Sequence, residues 1–214
     1  MNLPATLSVS AVFAALLLSG CASMNNREAH GFSSSSLATA AREVHEGGTE
    51  IDAVLDSISS LIDGPSADLE PRFLRYCAAV DQLESLSAEV NARTAGLQAY
   101  GEDYFDGWRS DLAKIHDEKI KDRTVARTYA VDTNFERVHL GYFETRAAFV
   151  PVLSDLNYIR TTLATDLSAG SIDSIRGVAT RAKVNTAPLR ESLGDLESDF
   201  RALGVSVGPI TSAE

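Results

Sequence analysis

The sequence predicts an all-α fold: an elongated antiparallel bundle of about four long helices with coiled-coil-like packing. Three observations carry this. Apolar residues recur in alternating three- and four-residue steps over most of the chain. No segment alternates polar and apolar residues as a half-buried strand would. Short turn-forming clusters interrupt the helical period at three places.

The first stretch runs Leu37, Ala41, Val44, Gly48, Ile51, Leu55, Ile58, Ile62 and stops at Asp63-Gly64-Pro65. The second begins near Asp68 and runs Phe73, Tyr76, Val80, Leu83, Ser87, Val90, Thr94, Leu97, Gly101, Tyr104, Trp108, Leu112, Ile115, ending in the charged stretch Lys114 to Arg123. Glycines at 96, 101 and 107 weaken it and mark a candidate break. The third runs Val131, Phe135, Val138, Tyr142, Thr145, Phe149, Val152, Leu156, Ile159, Leu163 and closes at Ser168-Ala169-Gly170. The fourth runs Ile172, Ile175, Ala179, Ala182, Thr186, Leu189, Leu193, Leu196, Phe200, Leu203.

Short connections make neighbouring helices antiparallel. Reflecting the second stretch onto the third about position 121 sets Trp108 at Phe135, Gly101 at Tyr142 and Thr94 at Phe149. Reflecting the third onto the fourth about position 169 sets Ala182 at Leu156 and Ala179 at Ile159. Both operations place small against large, and they bring Pro151 and Pro188 to nearly one level. The lengths are unequal, so the second and third helices should continue past the other two as a two-helix tip.

The bundle is expected over residues 37–203, with a loose Gly- and Pro-containing tail over 204–214. Residues 21–36 are small and polar, with Asn25-Asn26 and Ser33 to Ser36, and read as a flexible tether. Residues 1–20 carry no charged side chain and contain the apolar run Ala11 to Leu18. That run is far short of the roughly 20 residues a spanning helix needs and has the length of a signal-peptide core. Leu18-Ser19-Gly20-Cys21 then resembles the lipobox of bacterial lipoproteins, although no Lys or Arg precedes the apolar run. The resemblance implies cleavage before Cys21, a diacylglycerol on its thiol and an N-acyl group, with palmitate among the acyl chains. Ala22, in place of Asp, implies sorting to the outer membrane with the domain facing the periplasm.

About 190 residues would remain after that cut, enough for one domain with a sizeable core. The net charge of −11 makes nucleic acid, or docking on anionic lipid headgroups, a poor expectation. With Cys21 acylated, Cys77 is the sole free thiol. Its apolar neighbours suggest a packed side chain, with an intermolecular disulfide as the alternative.

Chemistry is hard to find. Glu136 and His139 form one Glu-x-x-His, whereas a di-metal bundle centre needs two plus further glutamates. His116-Asp117-Glu118 sits in a mixed-charge turn. No nucleophile elbow or phosphate-cradling loop occurs. No catalytic residue, metal or cofactor is expected, and the chain does not read as an enzyme. Trp108, Tyr100, Tyr104, Phe105, Phe135 and Tyr142 form an aromatic belt, mostly core filling, with Phe105 off the seam.

Trp108 with Leu112 and Ile115, then Tyr142, then Pro151-Val152-Leu153, then the segment Leu163 to Ile175 form a recognisable series. On these residues the chain from Trp108 to Ile175 resembles the uncharacterised bacterial family catalogued as domain of unknown function 2959. Members carry Lys, His and Asn where this chain has Ala164, Thr165 and Asp166. The resemblance implies a helical, often lipoprotein-like protein and lends no mechanism. The functional expectation is a membrane-anchored envelope protein with a structural or protein-binding bundle, associating with a protein partner or with itself. The tip is expected to keep apolar Leu112, Ile115 and Val125, and the contact region is expected there, at Leu112, Ile115, Lys119, Lys121 and Arg123. The alternative is a small-ligand or metal-binding bundle with the aromatic belt as pocket wall.

Overall fold

A computed structural model describes residues 34–65 and 68–207, without the side chains of 94, 95, 97–100 and 102. Leu18, Ser19, Gly20, Cys21 and most of the tether and tail lie outside the described residues. Four helices follow in order: α1 Ser34–Asp63, α2 Leu69–Leu112, α3 Glu118–Thr165 and α4 Ala169–Val207. At about 1.5 Å per residue they are about 45, 66, 72 and 58 Å long. Each helix packs on its chain neighbours, and α4 also packs on α1, closing an up-down-up-down ring. The fold is an elongated antiparallel helical bundle.

Alternating three- and four-residue spacing keeps one stripe of each helix facing the others, and that stripe is the core. On α3 the ten seam positions from Val131 to Leu163 are buried as expected, and on α4 so are the ten from Ile172 to Leu203. Both helices run unbroken through Pro151 and Pro188. On α2, Tyr76, Val80, Leu83, Ser87 and Val90 are buried, and the helix continues without a break through all three glycines.

The α1 seam differs in the middle. Gly47, Val54 and Leu61 are buried where Gly48, Leu55 and Ile62 were expected; Leu55 and Ile62 pack only at its margin. The reason is close approach at Gly47: a Cβ there would lie 3.0 Å from Leu86 Cδ2. A side chain at this position would hold α1 off α2, so the glycine turns inward. Apolar residues at both candidate phases left the choice to packing.

The pairing of α2 with α3 keeps the expected level away from the tip, where Arg160 pairs with Asp81 and Asn157 donates to Glu84, and departs from it toward the tip. Gly101 faces Phe135, whose ring occupies the space a methyl at 101 would need. Tyr142 lies at the level of Val90 and Arg93 rather than Gly101. The connection is shorter than expected: α3 starts at Glu118, so the turn is 113–117 and the charged stretch to Arg123 is already helix. Between α3 and α4 the expected levels hold, with Arg181 Nη2 2.5 Å from Asp155 Oδ1 and Arg137 Nε 3.8 Å from Asp199 Oδ1.

The ends differ by a few residues. α1 begins inside the stretch read as tether, with the Ser34 carbonyl and Leu37 packed over Gly204. α4 runs past Gly204 to Val207, whose carbonyl accepts from Arg127 Nη2 at 2.8 Å. A glycine read as a helix stop is instead a buried point of close approach. Among the described residues the buried apolar core runs from Leu37 to Leu203.

Candidate functional site

The tip is a hairpin of α2 and α3 beyond the reach of α1 and α4. α2 ends as Ala113 N donates to Arg109 O (3.3 Å), and Lys114 and Ile115 make tighter turns onto Asp111 O and Leu112 O. Asp117 caps α3, its Oδ1 accepting from Ile120 N at 3.0 Å, which satisfies a first-turn donor. Lys114 Nζ pairs with Asp111 Oδ1 at 2.8 Å, and Arg109 pairs with Asp106. Lys119, Lys121 and Arg123 therefore stand on the first two turns of α3, not in a loop, and make no ion pair among the described residues. Lys119 and Arg123 are exposed and Lys121 is half-buried.

Leu112 and Ile115 are half-buried and lie outside the main core. Val125, expected at the tip, is 49% exposed, and sequence reasoning missed two apolar companions on α3, Ile120 and Tyr129, which are 57% and 73% exposed. They lie before the first α3 core residue, Val131, and the charged composition around Ile120 masked them.

Beneath the tip, Tyr104, Phe105, Trp108 and Phe135 pack ring on ring. Tyr104 meets Phe105 at 5.4 Å and Trp108 at 5.5 Å, and Phe105 meets Phe135 edge to face at 5.5 Å. Phe105, expected off the seam, is half-buried in this cluster. Burial raises the Tyr104 phenol pKa, against an opposing pull from Arg127. Tyr142 is separate from this group and stands against Phe200 at 5.6 Å.

The titratable candidates stay apart. Glu136 is exposed, and His139 lies half-buried against Phe143 with Nε2 unpartnered. Asp117 of the His-Asp-Glu run serves as the α3 cap. Among the described residues no group of three or more His, Cys, Asp and Glu side chains could hold a metal ion. Cys77 is half-buried rather than fully packed, and desolvation raises its thiol pKa. A cavity of about 30 Å³ among Val44, Leu86, Val90, Tyr142 and Leu193 has room for one or two waters. Arg93 at its edge pairs with Glu43 and Glu89, each at 2.7 Å.

Two buried polar groups that sequence reasoning missed are structural. Asp155 accepts from Arg181 and Asn185, tying α3 to α4. Arg72 donates to three carbonyls around the α1–α2 turn. Their only sequence signal was a charge beside a seam position.

No described helix is long and apolar enough to cross a membrane. No curated protein and no solved structure matches the chain. Residues 35–197, reaching from the start of α1 into the last turns of α4, match the family described as protein of unknown function (DUF2959). The match is much longer than the segment from Trp108 to Ile175 that carried the resemblance, and the chain belongs to that family.

Proposed function

We propose that this chain is a lipid-anchored cell-envelope protein whose bundle is a spacer and contact element, without catalytic chemistry of its own. The anchor is Cys21, recognised through Leu18, Ser19 and Gly20, and Ala22 directs the protein to the outer membrane, facing the periplasm. The observation that supports a contact role is the tip. There α2 and α3 lose both other helices yet keep Leu112 and Ile115 half-buried and Ile120, Val125 and Tyr129 exposed. An isolated helix pair buries little and is marginal alone, so apolar side chains kept at its end fit a surface completed by something outside the bundle.

Two measurements test this. Cys21→Ser is expected to accumulate as unprocessed precursor and to lose palmitate labelling; labelled, processed Cys21→Ser protein overturns the anchor. Leu112→Ala with Ile115→Ala is expected to keep the bundle folded while losing crosslinked association in membranes. Association equal to wild type overturns the tip as the contact surface.

A further inference from the structure

The topology places the tip and the start of the chain at the same end of the bundle. α1 enters at Ser34 beside Gly204. Three residues later α4 ends at Val207, which accepts from Arg127. From Arg127 back to the first residue of α3, Glu118, is about 14 Å along the helix axis, so the hairpin overhangs the point where the tether joins by roughly this distance. The segment between Cys21 and Ser34 can span at most about 45 Å extended and about 20 Å as a coil. A bundle held at Cys21 therefore keeps its tip within reach of the surface that holds it.

The tip also differs in charge from the rest. Residues 106–127, which keep Arg109 with its partner Asp106, carry six Lys and Arg against five Asp and Glu, while the rest of the chain has thirteen against twenty-five. Of those five acids, Asp106 pairs with Arg109, Asp111 pairs with Lys114 and Asp117 is engaged in the helix cap, while Glu118 and Asp122 stand exposed beside the cations. Lys119 and Arg123 are exposed and unpaired next to exposed Ile120, Val125 and Tyr129. Cations interleaved with apolar and tyrosyl side chains are the chemistry of a headgroup-level membrane contact.

We infer that the α2–α3 tip docks on the anionic phospholipid surface of the bilayer that carries the chain's own lipid anchor, so that the bundle is held at two points. This rests on the reading of Cys21 as the acylated residue. It departs from the expectation drawn from total charge, because on this proposal the headgroups meet only the tip, where cations outnumber acids. The contact needs little intrinsic affinity, since the tether makes it intramolecular and raises its effective concentration.

The test uses the acylated chain reconstituted through its own anchor into vesicles containing brominated phosphatidylglycerol. Trp108 is the only tryptophan, so Trp108→Phe with Ile120→Trp places a single reporter at the tip. Trp108→Phe with Tyr158→Trp places one at the far end, and circular dichroism checks that both variants fold. The tip reporter is expected to be quenched and the far reporter not. Adding Lys119→Glu and Arg123→Glu should cut the tip quenching at least fivefold, as should replacing phosphatidylglycerol by brominated phosphatidylcholine. An unquenched tip, quenching unchanged by charge reversal, or equal quenching at both ends overturns the inference. So does crosslinking from position 120 in native membranes that yields only protein adducts. Failure of the wild-type chain to float with vesicles is a different result, which removes the anchor and with it the proposed function.

Discussion

Arg72 shows how a single side chain can complete a helix connection. It is 4% exposed and donates from Nε to Asp68 O (3.0 Å), from Nη1 to Ser60 O (2.6 Å) and from Nη2 to the Pro65 carbonyl. Ser60 O, in the last turn of α1, also accepts from Gly64 N at 3.2 Å, and the guanidinium joins it to the turn carbonyl of Pro65 and to Asp68 O ahead of α2. A methyl at Gly64 would collide with that group. Arg72→Met is expected to lower stability by about 2–4 kcal/mol in urea unfolding, because the apolar stem stays while buried acceptors lose charged donors. Gly64→Ala should destabilise through the same contact, and an unchanged midpoint in both would refute this role. Tyr76 is the counterpart in the core, fully buried with its hydroxyl donating to Leu156 O at 2.6 Å. Burial pushes the Tyr76 and Tyr142 phenols well above their ordinary 10.0. In the unfolded chain both would ionise near that value, so their contribution is complete below pH 10 and is lost as pH rises beyond it. Thermal unfolding from pH 8 to 11 should show this loss, and Tyr76→Phe with Tyr142→Phe should flatten it.

On the scale of the element, α2 holds three glycines with different roles. Gly96 and Gly107 face open space, whereas Gly101 faces the Phe135 ring. Helix propensity alone predicts that each Gly→Ala change stabilises by about 1 kcal/mol. That gain is expected at 96 and 107. At 101 the added methyl must displace Phe135 and the rings packed on it, so Gly101→Ala should destabilise despite the better propensity. Urea midpoints of the three single variants decide the matter; three shifts of the same sign would mean that α2 does not approach α3 as described. The final turn has its own polar lock. The Asp166 carboxylate accepts from Ser168 Oγ (2.9 Å) and Ser171 Oγ (2.7 Å), and those bonds lower its pKa. Any stability it lends is present above the usual aspartate range and is lost as pH falls through the lowered value.

Across the molecule, cohesion is uneven. Four helices share the core from Leu37 to Leu203, while the hairpin past Arg127 has two. Local opening is cheapest where buried apolar contacts are fewest. Amide exchange is therefore expected to be fastest around 113–123 and slowest through Phe149 to Leu163 of α3 and Ile175 to Leu196 of α4. Equal protection along α3 would contradict a bundle with a weakly held end. Binding of the tip to anionic vesicles should slow exchange there first.

The helix content, the strand-free fold and the core stripes of α3 and α4 were legible in the sequence. A single dominant apolar phase leaves an amphipathic helix one way to face inward, and both helices have one. α1 offers two, Gly47-Val54-Leu61 and Gly48-Leu55-Ile62, and only the approach of Leu86 to Gly47 selected between them. The level of α2 against α3 near the tip was likewise open, because a heptad seam fixes the inward face and not the level, and there Phe135 meets Gly101 rather than Trp108. The resemblance of Leu18 to Cys21 to a lipobox is a local pattern and needs no fold to be read. Which residues share an end of the bundle depends on chain path, and residues as distant as Ser34, Lys119 and Val207 share one only because four antiparallel helices return there.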